Sequence, residues 1–549
     1  MAATLVAAAV VVTVFIIDAA WRGALGIPRN DDWSYLRTAF VFGQTGNFVL
    51  DGWAAAMLIG QVVIAAPVVG VAGRSIIGLQ FLTAAEAAVS LVVWYALLRR
   101  LLPPRLAALS TAALALAPVF AMLAVSFMSD VPAVLMQGAT LLLGVEAVRR
   151  RRGEWWLIAA AAAGLVAFSI REYGIVAAAA VFAGFVIHRQ REGKRRDVLA
   201  ACAIAIAFVA ACLAAWMWRH GLPNPGDLPA RNSSSAPLRR AFPAIALTLA
   251  LFIAPAAALI SPRRLVTARR RAPLFAIVAV TATAGFLRFA ERPVLIGDYV
   301  TRRGSRSGAV VAGSLFQVNP IVWKLTVLLA VWSLANATVV GMVFASGLID
   351  RLKSRPRSTT LPASPVLTML TIYVALSVTA TIVITFTASA LYDRYLLPLI
   401  PAVAGLVLWA ASRADVLAVR ARVVPVAFLV LCALVSAAYV DEAAATEGAR
   451  WDLGDVAVAH GINARNIDAG FEWYSYHQHR AVRLEAPPTE PFWIGLLPGT
   501  RCATVTAAPT STPILAKRRI STLLGAETFY LVDGPDRCWR ERSGVRDSD

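Results

Sequence analysis

Charge is scarce in this chain of 549 residues, and acidic charge is scarcest: Asp and Glu number 32 against 52 Lys and Arg, and all charged types together reach 15%. A soluble domain carries about 25% charged and about 45–50% apolar residues. A hydrophobic share of 59% with a mean hydropathy of +0.67 therefore excludes an ordinary soluble protein. Cysteine is rare as well, at five, and no Cys-x-x-Cys occurs, which argues against a structural zinc site. The chain shows no Gly-rich phosphate loop, nucleophile elbow or nucleotide-binding motif. That gap fits an enzyme whose activated donor arrives in the membrane. No internal repeat or low-complexity stretch stands out.

What is present is a series of apolar runs, each near the roughly 20 residues that cross a bilayer as helix. Barrel strands show weak alternation rather than such runs, so spanning helices are expected. Hydropathy predicts about thirteen: Ala2–Ala20, Ser75–Leu98, Leu106–Val125, Val131–Val148, Trp155–Ile170, Gly174–Ile187, Val198–Trp218, Phe242–Ile260, Leu274–Phe289, Ile321–Ile349, Val366–Ala388, Leu396–Ala411 and Val423–Tyr439. The first lacks the basic n-region of a signal peptide and reads as a span. Trp21–Arg74 reads as a long loop, with Gly46–Val71 lying in the interface. The expected fold class is thus mainly α, a polytopic transmembrane helix bundle over 1–440 with its first outer loop at 21–74. A small soluble C-terminal α/β domain follows over 441–549, with strand-like pieces at Arg480–Leu484 and Thr528–Val532.

The net charge of +20 is concentrated in alternate short loops: Arg99, Arg100 and Arg105, then Arg149 to Arg152, Arg189 to Arg196, Arg263 to Arg271, Arg351 to Arg357 and Arg413 to Arg422. The positive-inside rule makes these cytoplasmic, and explains the charge without nucleic acid. The loop holding Asp31 and Asp32 then faces outward, and an odd number of spans puts the tail outside too. There Cys502 and Cys538 could pair as a disulfide, while Cys202, Cys212 and Cys432 sit in apolar runs as small core residues. The expected location is a cytoplasmic (inner) membrane, multi-pass, with the N-terminus cytoplasmic and the tail extracytoplasmic.

Four outward clusters could carry chemistry. In Asn30-Asp31-Asp32-Trp33-Ser34-Tyr35 a carboxylate is placed to take a proton from a hydroxyl, or else to cap a helix beginning near Trp33. Ser129-Asp130-Val131-Pro132 opens a span, where capping is an equally simple role. Arg171-Glu172-Tyr173 puts charge inside an apolar hairpin, costly at membrane depth, and Arg171 could hold a phosphate or pair with Glu172 at the interface. Tyr392-Asp393-Arg394-Tyr395 offers a second phosphate ligand, with tyrosines that also suit the interfacial belt. Arg292, Arg302, Arg303 and Arg306 make a basic outer loop that either binds an anion or is disordered. His477-x-His479 has no acid cluster beside it and reads as surface histidines, so no metal site is expected.

Taken in order and spacing, these motifs resemble the GT-C superfamily of polytopic glycosyltransferases, in particular the branch holding protein mannosyltransferases and the lipid A aminoarabinose transferase. Asp31-Asp32-Trp33-Ser34-Tyr35 resembles the acidic motif of that branch's first outer loop, where Asp-Glu and a tyrosine pair are usual. Ser129-Asp130-Val131-Pro132 resembles its second acidic motif, Ile170-Arg171-Glu172-Tyr173-Gly174 its basic position (often Lys), and Arg394-Tyr395-Leu396-Leu397-Pro398 its late signature. The resemblance implies transfer of a sugar from a polyprenyl-phosphate-linked donor to a hydroxyl of a lipid, glycan or protein acceptor, in one inverting displacement. It implies Asp31 as base with Asp32 beside it or substituting for it, and Asp130 orienting the acceptor or the base. Arg171 and Arg394 would hold the donor phosphate, with Tyr35, Glu172, Tyr392 and Tyr395 around the substrates. No cofactor is implied for certain; some relatives need a divalent cation and others do not. The rival reading is a transporter or flippase of lipid-linked or anionic substrates, whose charges would lie at midplane.

Overall fold

The structure, a computed structural model, describes residues 2–54, 56–150, 153–223, 238–261, 264, 277, 280–281, 295–305, 313–314, 316–354, 364–387, 391–417, 423–478, 499–508, 512–536 and 538. The fold is mainly α. In chain order the helices are α1 (Ala2–Trp21), α2 (Asp32–Thr45), α3 (Ile59–Ala72), α4 (Ile76–Leu98), α5 (Pro104–Ala115), α6 (Pro118–Ala124), α7 (Asp130–Arg149), α8 (Gly153–Ile170) and α9 (Ile175–Arg191). Then come α10 (Arg195–His220), α11 (Leu238–Phe252), α12 (Ala254–Ala257), α13 (Pro320–Ser354), α14 (Pro365–Thr387), α15 (Leu399–Arg413), α16 (Val423–Ala459) and α17 (Phe471–His477).

Among the described residues nine helices are long and apolar enough to cross a membrane, and α5 with α6, bent by 69°, passes the same test as a broken span or a re-entrant pair. The bend falls at Ala117-Pro118, because proline at a helix start cannot continue the hydrogen-bond ladder behind it. Two other expected spans are the shorter apolar helices α11 and α15, and the one expected at 274–289 lies outside the described residues except at 277 and 280–281. Within the expected interfacial piece the described residues of 47–58 form neither helix nor strand, and the chain is helical only in α3. Arg100, Arg149 and Arg150 gather on Glu146 and Arg189 meets the Ala147 carbonyl, so the ends of α4, α7 and α9 share one end of the bundle, while Asp31, Asp130, Arg171 and Arg394 meet at the other. Outward faces of α1 and α10, such as Val6, Val14, Ile206 and Met217, are exposed apolar surface suited to lipid.

α16 has 37 residues. At about 1.5 Å per residue it is roughly 55 Å long, far beyond a hydrocarbon core of about 30 Å. Its first half packs in the bundle and its second half carries charge. Asp441 accepts from Arg22 at 2.5 and 2.7 Å, Glu447 pairs with Arg29, and Glu442 accepts the Ser305 N–H at 2.8 Å. Gly448 permits this docking: a Cβ there would lie 1.9 Å from the Arg22 carbonyl oxygen. The polar tail thus begins inside a continuous helix rather than at a linker.

The tail builds a four-stranded sheet of β1 (Ile467–Asp468), β2 (Ala503–Thr506), β3 (Ile514–Thr522) and β4 (Gly525–Asp533), in the order β1-β2-β4-β3. β1 and β2 are parallel; β4 pairs antiparallel with both neighbours, placing Ala503 opposite Asp533 and Lys517 opposite Tyr530. The strand expected at 528–532 lies within β4, and that at 480–484 is outside the described residues. Trp451 and Leu453 of α16 join Trp473, Phe529 and Leu531 in a second core. Cys502 and Cys538 form a disulfide with Cα atoms 5.0 Å apart; Cys212 and Cys432 are buried, whereas Cys202 is exposed. The β3–β4 turn rests on the bundle: Leu524 joins its core, and the Asn319 N–H donates to the Leu524 carbonyl at 2.6 Å.

Inside the tail Arg450 is fully buried, donating from Nη1 to Glu472 at 2.9 Å and to the Ala469 carbonyl at 3.3 Å. Removing one partner of a buried pair leaves an uncompensated charge, at a cost of about 3–5 kcal/mol. Glu472→Ala is therefore expected to lower the melting temperature of the purified protein in detergent by several degrees. An unchanged melt would show that Glu472 does not neutralise Arg450.

Candidate active site

The site starts at a left-handed residue. Asn30 has φ +59°, a conformation asparagine tolerates better than most residues, and it turns the chain into α2. The two acids that follow part ways. Asp32 is fully buried and accepts the Arg29 N–H at 2.6 Å and the Phe127 N–H at 3.0 Å. Burial pushes its carboxyl well above the usual range, and the backbone donors oppose that only in part. It ties the first loop to the α6–α7 turn. Asp31 is the N-cap residue of α2, yet its side chain makes no cap bond. Its Oδ1 instead accepts the Trp53 indole N–H at 3.0 Å, and its Oδ2 accepts Arg394 Nη2 at 3.1 Å.

Arg394 sits on the short turn Asp393–Leu396 that leads into α15. Its Nε lies 3.7 Å from Asp298 Oδ2, and its guanidinium is 4.8 Å from the Tyr392 ring centre and 5.9 Å from that of Tyr395. Burial alone would lower its pKa; Asp298 and Asp31 more than reverse this, so it stays charged. Its Nη1 is buried without a hydrogen-bond partner among the described residues.

A second cation closes the other side. Arg171 Nη2 donates to Asp130 Oδ2 at 2.9 Å, and its Nε donates to Ser129 Oγ at 2.6 Å. Asp130 is the first residue of α7, and Ser129 before it makes no side-chain cap bond, so both serve Arg171. Tyr173 donates to Asp130 Oδ1 at 3.4 Å. Arg171 stands 5.9 Å from the Tyr395 ring centre, the separation Arg394 has from the same ring. Tyr35, buried on α2, interacts electrostatically with Arg171, Asp31, Arg394 and Asp130, and burial raises its hydroxyl pKa.

Asp31, Tyr35, Asp130, Arg171, Arg394, Tyr392 and Tyr395 are thus brought together. Glu172 is also within electrostatic reach of Arg219 and His220, on the flank of the cluster. His477 bonds its own helix at Trp473 and packs against Trp451, while His479, Arg292 and Arg306 lie outside the described residues. Arg302 and Arg303 are exposed. Among the described residues no three His, Cys, Asp or Glu side chains are grouped to hold a metal ion. Two members escaped the sequence reading. Asp298 was masked by the basic loop around it, where a lone acid is the available signal. Trp53 lies 22 residues from the carboxylate it touches.

Residues 62–218 match the family model described as dolichyl-phosphate-mannose-protein mannosyltransferase. The matched segment is a little over a quarter of the chain. Asp130 and Arg171 fall within it. No curated protein matches. Among solved structures, ArnT from Cupriavidus metallidurans, in a crystal with undecaprenyl phosphate, is 14% identical, with 96% of this chain and 97% of that one covered at a TM-score of 0.41. The oligosaccharyltransferase AglB from Archaeoglobus fulgidus, in complex with an inhibitory peptide and a dolichol-phosphate, is 13% identical, with 92% and 69% covered at 0.43.

Asp393 holds the Arg394 turn in place. It is fully buried, and its Oδ2 accepts the N–H groups of Tyr299 and Val300, each at 3.0 Å. Burial, reinforced by Asp298, pushes its carboxyl up to about 7 from 3.8. The folded-state value is raised, so this group's contribution to stability is full below the unfolded value and is lost as pH rises through about 7. Asp393→Asn keeps an oxygen for both N–H groups and cannot ionise. Its melting temperature relative to wild type is expected to rise steadily from about pH 4 to about pH 8. A difference that does not change with pH would exclude this titration.

Proposed function

We propose that this protein transfers a sugar from a polyprenyl-phosphate donor to an acceptor hydroxyl on the extracytoplasmic face of the membrane, with inversion. The observation that carries the reading is the pair of buried arginines, each 5.9 Å from the Tyr395 ring centre, next to a carboxylate whose side chain makes no cap bond. The donor class follows the dolichyl-phosphate-mannose of the family description. Arginine forms forked bonds to phosphate oxygens, and the unpartnered Nη1 of Arg394 has a donor to give.

Asp31 takes the proton of the acceptor hydroxyl. The acceptor oxygen attacks the anomeric carbon from the face opposite the phosphate, a new C–O bond forms, and the bond from that carbon to the phosphate oxygen breaks. The polyprenyl phosphate leaves with the electron pair. Arg394 and Arg171 neutralise its growing charge, the interaction that strengthens most towards the transition state. Asp130 keeps Arg171 aimed, and Asp298 does the same for Arg394. Tyr35 lies among all four charged groups, where a sugar hydroxyl would find a partner. The assignment of the site to the extracytoplasmic side is supported by the arginine-rich loops at the opposite end of the bundle and by the Cys502–Cys538 disulfide. A cytoplasmic (inner) membrane carrying the enzyme with its tail outside fits the same charge bias.

The test is sugar transfer by the purified protein in lipid vesicles with a panel of radiolabelled polyprenyl-phosphate sugars. Asp31→Asn is expected to reduce transfer by at least about 10²-fold, and Arg394→Gln or Arg171→Gln by about 10²–10³-fold. Undiminished transfer by a folded Asp31→Asn would remove Asp31 as the base.

A further inference from the structure

Trp53 comes from the irregular piece between α2 and α3, and its position is determined on three sides. Its indole N–H donates to Asp31 Oδ1 at 3.0 Å, while Arg394 takes the other oxygen at 3.1 Å. Its backbone is fixed by Asp51, whose Oδ1 accepts the Trp53 N–H at 3.0 Å and the Ser34 hydroxyl at 2.7 Å. Its ring forms one corner of an aromatic triangle with Trp33 of α2, centroids 6.1 Å apart, and Phe471 of α17, centroids 5.3 Å apart. Phe471 is fully buried and also meets Trp33 edge-on at 6.2 Å. At the other end of α17, Arg37 Nη2 donates to the carbonyls of Ser475 and Tyr476 at 2.8 and 2.6 Å, and to that of Gln478. The C-terminal domain is therefore pinned against α2 at both ends of α17, and its first aromatic ring presses on the tryptophan that holds Asp31.

We propose that Trp53 is a positioning residue for the base and that Phe471 holds Trp53 in register, so that the C-terminal domain sets the orientation of the proton-accepting carboxylate. This rests on the reading of Asp31 as the base. A carboxylate free to rotate presents its lone pairs in many directions. One held at each oxygen by a different part of the chain presents them in one. The indole N–H also favours the ionised form, which a buried base needs. The other titratable or charged groups around Asp31 are Arg394 from the 393–396 turn, Asp298 beside that arginine, Tyr35 and Asp32 from α2, and the Asp130–Arg171 pair across Tyr35. The Trp53→Phe substitution changes none of these side chains themselves.

The experiment uses the full-length protein in vesicles and Trp53→Phe, which keeps an aromatic ring in the cluster and loses the N–H. With the donor that wild type uses best, kcat is expected to fall about tenfold, with donor KM within about twofold. The acidic limb of the kcat–pH profile is expected to move up by about one unit. Phe471→Leu, which leaves the indole in place but loosens it, is expected to move the limb in the same direction by less, and decides the matter if Trp53→Phe does not fold. An infrared pH titration of the Asp31 carboxyl, assigned by subtracting the Asp31→Asn spectrum, reads the same shift without any substrate. A wild-type kcat in Trp53→Phe, or a lower kcat with limb and carboxyl band unmoved, overturns the proposal. The underlying reading fails separately: if Asp31→Asn retains transfer, Asp31 is not the base, whereas an inactive Asp31→Asn beside a normal Trp53→Phe removes only the positioning role.

Discussion

A buried guanidinium must be neutralised, and the architecture of this protein follows from doing that twice. Arg394 is out of water and is met by Asp31 and Asp298; Arg171 is met by Asp130 and Ser129. The partners come from the first loop, the segment before α13 and the start of α7, and the cations from the end of α8 and the turn before α15, so satisfying two cations draws five distant parts of the chain to one point. Leaving either unpaired would cost several kcal/mol. The same pairing makes the site suited to a phosphate, because an incoming anion takes over interactions that carboxylates now provide and needs no new charge to be buried.

Much of this was legible in the sequence. The spans were, because a roughly 20-residue apolar run has few other structures open to it. Asp31, Asp130, Arg171 and Arg394 were also legible, because charge next to an apolar run is expensive and needs a reason. The bend between α5 and α6 was hidden, since hydropathy averages over Pro118, and so was the continuity of α16 beyond Tyr439, where the composition turns polar while helix formers persist.

The division of labour between Asp31 and Asp32 was hidden for another reason. Adjacent residues at a helix start point in different directions, and which one turns to the backbone depends on the Phe127 N–H, 95 positions away. Asp298 and Trp53 were illegible for the same cause: neither has a neighbour in sequence that hints at its partner in space. Motif order gives the charged corners of a site, and tertiary contact gives the side chains that aim them.

α16 belongs to two cores at once, with Leu431 and Val435 in the bundle and Trp451, Leu453 and Ala457 in the soluble domain. A continuous helix is a stiff rod, so it acts as a lever with the membrane surface as its fulcrum. With roughly 25 Å of it beyond the hydrocarbon, a tilt of about 10° in the bilayer sweeps the outer end through about 4 Å. Spans accommodate a change in hydrocarbon thickness partly by tilting, so such a change is expected to reach, through this helix, the domain that rests on the first loop.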